Sequence, residues 1–456
     1  MRCLSKTAGP LLIAGMLAVF VPTMARAQAG SSGAVHRDTS AAATDSLAAR
    51  LARAEAAIEM LRRQLAIEAS SVVKTRSRLQ LELSGRVLTN AYYDNARFNS
   101  SEVPLYVREG LAPPLGTRTG SAGSHVFGAS IRQTVLGASL GVDSVLGGSF
   151  VGDIDVDFFA TPAPGVDAFP TPRPRLRTVR AQITWVKTEV MVGSDGPLIA
   201  DVDPASVATV GLPGFTAAGN LWNWLPQARV SRELFVTMIG ATRLRWGAQL
   251  ALLAPTAGDV HPSELDGVDA GDRAARPSFE SRVRVRWGAN DAPDDQRGEV
   301  GIGVHRGWLR ISGDTLTTSR ATAVSMRVGL SHGISVRGEA YRGRAVRGLG
   351  GGAIGQNFGI AAVGQTLGAP LRNTAGWAQL LAQVRPTMAT GLGCGVDVVN
   401  TADRPDRQRN ASCAANIAWH PTQPVVLGFE IRTLTTHYAS GTRRGSQINL
   451  AAGFEW

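Results

Sequence analysis

Arginine recurs at every second position in several segments of this chain. Arg282, Arg284 and Arg286 alternate with Val283, Val285 and Trp287. Arg243 and Arg245 flank Leu244, and Arg327, Arg337 and Arg432 sit in similar alternating runs. In an extended strand, residues two apart share a face, so each run stacks its guanidinium groups on one side. Such rows concentrate anions and bind carboxylate or phosphate in bidentate fashion. Acidic residues hold equivalent positions: Asp153, Asp155 and Asp157 around Ile154 and Val156, with Glu280, Glu339 and Glu430. On facing walls, the two sets would impose a transverse field on polar solutes. Side by side, they would pair and merely hydrate the surface. Both readings stay open in the sequence.

Other motifs carry less. Gly329-Leu330-Ser331-His332-Gly333 matches the nucleophile elbow, which needs a strand-to-helix turn. Here it joins two alternating segments. A barrel-embedded hydrolase therefore ranks last among the readings, and no enzyme is expected. Gly350 to Gly355 matches G-x-G-x-x-G without the βαβ context of a dinucleotide site. The seven histidines show no metal-ligand spacing, and no cysteine pair has zinc-site spacing, so no metal or cofactor is expected. Basic residues are spread over alternating segments rather than gathered in one patch, which argues against nucleic acid as a partner.

The elements that would position these rows divide the chain. Residues 1–27 read as a signal peptide: Arg2 and Lys6, an apolar run from Leu11 to Val21, then Ala25-Arg26-Ala27. Removing the three cations Arg2, Lys6 and Arg26 from a formal net charge of +11 leaves +8. Residues 28–44 read as a flexible linker. Over 45–76, Leu47, Leu51, Ala54, Ile58, Leu61, Leu65 and Val72 follow a heptad stripe, broken at Glu68, which predicts a short coiled-coil helix. An exported context permits a disulfide, and Cys394 and Cys413 lie in segments that read as one hairpin. A cross-strand bond and two inert thiols both fit.

From 77 to 456 the period is two. Ile448, Leu450, Ala452, Phe454 and Trp456 alternate with polar or small residues, and so do Phe279 to Trp287 and Val425 to Ile431. Segments of about ten residues, short turns alternating with long polar loops, and Trp185, Trp246, Trp287, Trp308 and Trp419 near strand ends favour a transmembrane antiparallel β-barrel over a soluble sandwich. The tally is about sixteen strands, a size that leaves an aqueous channel. The stretch Gly196 to Pro226 lacks long alternation. It is either an inward-folded constriction or an external cap.

The coiled coil of 45–76, the first strand from Leu81 to Asp94, Phe127 to Gln133, Gly152 to Phe158, and Arg175-Leu176-Arg177 leading to Met191-Val192-Gly193 resemble trimeric outer-membrane porins of the phosphate-selective and DcaP-like type. Phe454-Glu455-Trp456 resembles the terminal signal read by the barrel-assembly machinery, although that family usually ends in Phe. The resemblance implies a homotrimer in the bacterial outer membrane, with its coiled coil in the periplasm. It implies diffusion of small hydrophilic solutes through the lumen. The lysine ladder of phosphate-selective members is absent, since Lys6, Lys74 and Lys187 are the lysines of the chain. A non-conducting anchor or adhesin, tethered through the coiled coil, is the competing class.

Overall fold

The computed structural model describes residues 72–74, 79–109, 125–160, 172–240, 242–258, 268–288, 296–312, 315–331, 333–363 and 368–456. The expected signal peptide and linker lie outside the described residues. So does the predicted coiled coil, apart from Val72–Lys74. Those three form a short strand rather than the end of a helix, because their backbone pairs with Gln80 to Glu82.

The strands in chain order are β1 (Val72–Lys74), β2 (Leu79–Asp94), β3 (Val126–Ser130), β4 (Val135–Val145), β5 (Gly148–Asp157), β6 (Arg175–Thr184), β7 (Thr188–Asp195), β8 (Leu225–Ile239) and β9 (Thr242–Leu253). They continue as β10 (Ser278–Gly288), β11 (Gln296–Ser312), β12 (Thr315–Ser331), β13 (Ile334–Arg344), β14 (Arg372–Arg385), β15 (Met388–Val399), β16 (Arg407–Trp419), β17 (Val425–Tyr438) and β18 (Gly441–Glu455). Neighbours in sequence pair antiparallel, and β18 closes the sheet on β2 with Ile448 opposite Tyr93 and Phe454 opposite Val87. β3 and β4 pair with the two halves of β2 and act as one interrupted wall strand. The wall is thus a closed barrel of sixteen strands. Closure leaves no sheet edge within the bilayer, as a membrane-spanning sheet requires.

Alternation decides which face each side chain takes. On β10, Phe279 and Val283 are 47% and 51% exposed, whereas Glu280 and Arg282 are 3% and 2% exposed. The apolar face points outward to lipid and the polar face inward. Short turns such as Leu146-Gly147 and Gln423-Pro424 close the end that holds Trp456, and long connections gather at the other. Aromatic side chains mark both rims. Phe235 stacks on Trp246 and Phe454 on Trp456, each at 5.6 Å, toward the turn end; Phe279 meets Trp308 edge-on at 6.0 Å toward the loop end. Amphipathic rings favour the two membrane–water interfaces, so these pairs bracket the apolar band.

Trp456 is also stitched into the wall. Gly85 and Trp456 exchange backbone hydrogen bonds of 3.0 and 3.1 Å, and the indole lies over Gly85, where a Cβ would stand 2.5 Å from the ring. Cys394 and Cys413 are direct register partners on β15 and β16, with Cα atoms 4.0 Å apart, and a disulfide joins them on the outer face.

Protein prepared without residues 1–27 and denatured without reductant is therefore expected to take up no maleimide, and to take up two equivalents after reduction. Mass spectrometry reads both. Adducts before reduction would mean that the two thiols are free.

Candidate functional site: the barrel interior

Residues 196–224 connect β7 to β8, and they run through the interior rather than over it. Polar backbone inside a barrel must find partners, and the inward faces of the wall supply them. The N–H groups of Leu198 and Ile199 donate to Glu280 Oε2 at 2.5 and 3.3 Å. Arg337 donates to the Asp203 carbonyl at 3.0 Å. Gln379 clasps Ala205 through both its amide atoms, each at 2.8 Å, and Asn416 adds a bond to the same carbonyl at 3.0 Å. Ser206 donates to Glu430 at 2.5 Å, and Asn90 donates to the Val207 carbonyl at 3.2 Å. Gln133 and Arg175 take the N–H and carbonyl of Gly211 at 2.6 and 2.5 Å. The chain then turns back, and Asn410 donates to the Ala217 carbonyl at 2.9 Å.

Packing completes the arrangement. Leu198, Ile199 and Leu221 are fully buried against inward-facing Ala251, Ala321, Ala323 and Ala375. Phe215 stacks on Trp377 at 5.6 Å. At Gly219 (φ +110°) the loop backbone lies against Gly376, where a Cβ would come within 2.4 Å of the facing backbone. Small residues on the wall thus make room for the loop.

Every predicted lumen residue lies on the inward face, but they divide into two groups. Asp157, Glu280, Arg282, Glu339, Glu430 and Arg432 are at most 4% exposed, so they do not line a water-filled passage as expected. The loop covers them, and several are spent on internal partners. Glu430 pairs with Arg432 at 2.7 Å, and Asp157 with Arg175 at 2.6 Å. Arg282 is held between Asp201 and Glu299, at 2.7 Å from each. Asp153 pairs with Arg180 at 2.8 Å, and Asp155 accepts from Thr178 at 2.8 Å.

The second group stays open to the interior. Arg245, Arg286, Glu299, Arg327 and Arg337 follow one another in register from β9 to β13. Arg327 is exposed; Arg243, Arg245, Arg284, Arg286 and Arg337 are half-buried. Against this wall, the loop presents Asp201 and Asp203, both exposed. Asp203 feels Arg177 on β6 and Arg327 on β12, and so lies between the two walls. A solute passing here would meet a row of guanidinium groups with two loop carboxylates set against it, Asp201 lying 2.7 Å from Arg282 and 4.0 Å from Arg284.

Sequence reasoning missed the loop's carboxylates and the inward amides Asn90, Gln379, Asn410 and Asn416. A signal was present: each amide occupies an inward position where a channel wall would more often carry charge or a small residue.

Two motifs resolve into structural roles. The strand-turn-strand at Gly329 to Gly333 links β12 to β13, so the elbow geometry is absent. The G-x-G-x-x-G run lies in the β13–β14 connection, where buried Ile354 donates its N–H to Asp397 at 3.1 Å. A serine–histidine–carboxylate order does occur, with His305 2.9 Å from Glu280 and 3.3 Å from Ser319. All three are buried, and the second oxygen of Glu280 holds the loop. The trio acts as a latch.

No protein-family model matches the chain, and no curated protein sequence does. Solved structures do match. The outer membrane channel DcaP of Acinetobacter baumannii superposes with a TM-score of 0.63 at 15% identity, covering 84% of this chain and 99% of that one. An anion-selective porin from Comamonas acidovorans gives 0.52 at 11% identity, covering 83% and 100%. The described chain has the outer-membrane porin fold.

Replacing Gln379 by Leu strips both partners from a buried backbone pair, at a cost of ~2 kcal/mol. Amide exchange at Ala205 is expected to quicken about thirtyfold while the wall strands keep their protection. Unchanged exchange would mean that the loop is held by other means.

Proposed function

We propose that this chain is an outer-membrane diffusion porin that passes small hydrophilic solutes and prefers anions. One observation supports the reading above the rest. Within a sixteen-stranded barrel, Arg245, Arg286, Arg327 and Arg337, with Glu299 between the second and third, stay open to the interior. Most wall carboxylates are instead consumed by pairing or by anchoring the loop. What remains facing water is a wall richer in Arg than in carboxylate, with Asp201 and Asp203 of the loop set against it. Such a surface raises local anion concentration. The fold is one that also serves an anion-selective porin.

The reading carries further parts. The protein works without a cofactor and is no enzyme. Its site is the bacterial outer membrane, with the segment before the barrel in the periplasm. Three copies assemble, as the sequence resemblance implies. Phe454 and Trp456 present the terminal signal to the barrel-assembly machinery, with the stacked ring pair as the feature that would be read. A non-conducting anchor is the competing function, and an anchor has no need of an open Arg row.

Planar-bilayer recording of the refolded protein tests this. Stable conductance steps are expected, with a reversal potential in a salt gradient of the sign that anion preference gives. The double variant Arg327→Glu/Arg337→Glu is expected to lower the anion-to-cation permeability ratio about fivefold, on the order of 1 kcal/mol at an intermediate dielectric. A folded barrel without conductance would remove the porin reading in favour of the anchor. A ratio that ignores the charge reversal would remove the role of the Arg row.

A further inference from the structure

A second Arg row lies on the outside of the wall. Arg306, Arg320, Arg344 and Arg372 stand directly opposite one another across β11, β12, β13 and β14. Register places Arg306 beside Phe279, which meets Trp308 in the loop-end aromatic rim. The row therefore lies at the level of lipid headgroups, with the apolar band below it. Like charges directly opposite on neighbouring strands are unfavourable. Among the described residues, the Trp308 ring lies 5.7 Å from the Arg306 guanidinium and offsets part of this cost. Asp403 holds Arg372 in a bidentate pair, at 2.6 Å from its closer nitrogen, and its field reaches Arg344.

A hollow of about 1110 Å³ opens in the outer wall at the same place. Its lining joins the four Arg residues and Arg342, on β11 to β14, to an apolar floor of exposed Val230, Leu250, Leu252, Phe279 and Val304, on β8 to β11. Cations beside an apolar floor fit an amphiphile with an anionic head and acyl chains. Guanidinium groups bind phosphate in bidentate fashion, and basic pockets at membrane interfaces take phosphorylated headgroups. A second copy of the chain fits less well. On the described strands β5 to β18 every carboxylate faces the interior, so another barrel's outer wall brings no strand-borne anion to this row.

We propose that the outer face of β8 to β14 binds one phosphorylated glycolipid of the outer leaflet, its phosphates on Arg306, Arg320, Arg344 and Arg342 and its acyl chains on the apolar floor. The inference goes beyond conduction and rests on the outer-membrane placement. The test is native mass spectrometry of the whole detergent-purified protein titrated with bis-phosphorylated lipid A, dephosphorylated lipid A or phosphatidylglycerol. Wild type is expected to hold bis-phosphorylated lipid A in preference to the other two. Arg320→Gln/Arg344→Gln is expected to bind it roughly tenfold more weakly. Arg444→Gln, outward-facing on β18, should bind as wild type does. Heat-shifted electrophoretic mobility checks that each variant is folded, and bilayer conductance of the double variant separates this inference from the porin reading. Equal lipid A binding by wild type and the double variant would overturn the proposal. So would equal binding of all three lipids. Dissociation of the oligomer in the double variant would overturn it too, by assigning the face to contact between copies.

Discussion

A peptide backbone can run through the inside of a membrane barrel only if its N–H and carbonyl groups find partners there. Here the loop of 196–224 finds them on the wall itself. Glu280, Gln379, Asn416, Glu430, Asn90 and Gln133, on widely separated parts of the wall, each receive or donate a bond along a short length of loop. Each buried bond contributes ~1 kcal/mol net, but an unmade one costs more, so the set favours one loop path over alternatives. Small inward residues such as Ala321, Ala323 and Ala375 are the steric counterpart of the same constraint.

The anchoring also shapes the electrostatics. A wall with similar numbers of Arg and carboxylate side chains would have little preference among ions. Glu280 and Glu430 are withdrawn into the loop's hydrogen bonds, and Asp157 into its pair with Arg175. Arg286 and Arg327 are not covered in this way, while Arg337 donates to the Asp203 carbonyl of the loop. The loop returns negative charge at Asp201 and Asp203, with Asp201 paired to buried Arg282. Burial thus turns a mixed sequence into a wall face with more accessible Arg than carboxylate.

The wall was legible in the sequence because its signal is local. Alternation at Phe279 to Trp287 and Ile448 to Trp456 states strand, register and facing at once, and the tally of about sixteen matches the closed barrel. The hairpin position of Cys394 and Cys413 put them near one another, although bonding was open until their register was known. The interior was less legible because facing inward is not the same as facing water. Glu280 and Arg327 have the same alternating context, yet a loop distant in sequence covers one and not the other. Gly196 to Pro226 carried no periodicity that would tell an inward path from a cap. That path is set by amides such as Gln379, whose partners lie more than a hundred residues away.

Single-channel conductance of a variant with residues 204–219 replaced by a short glycine linker tests the central claim most directly. With the loop held inside the barrel as the constriction, conductance should rise severalfold. Ion selectivity should fall as the passage widens beyond the reach of its wall charges. Conductance and selectivity equal to those of the intact chain would contradict an inward loop that sets the passage.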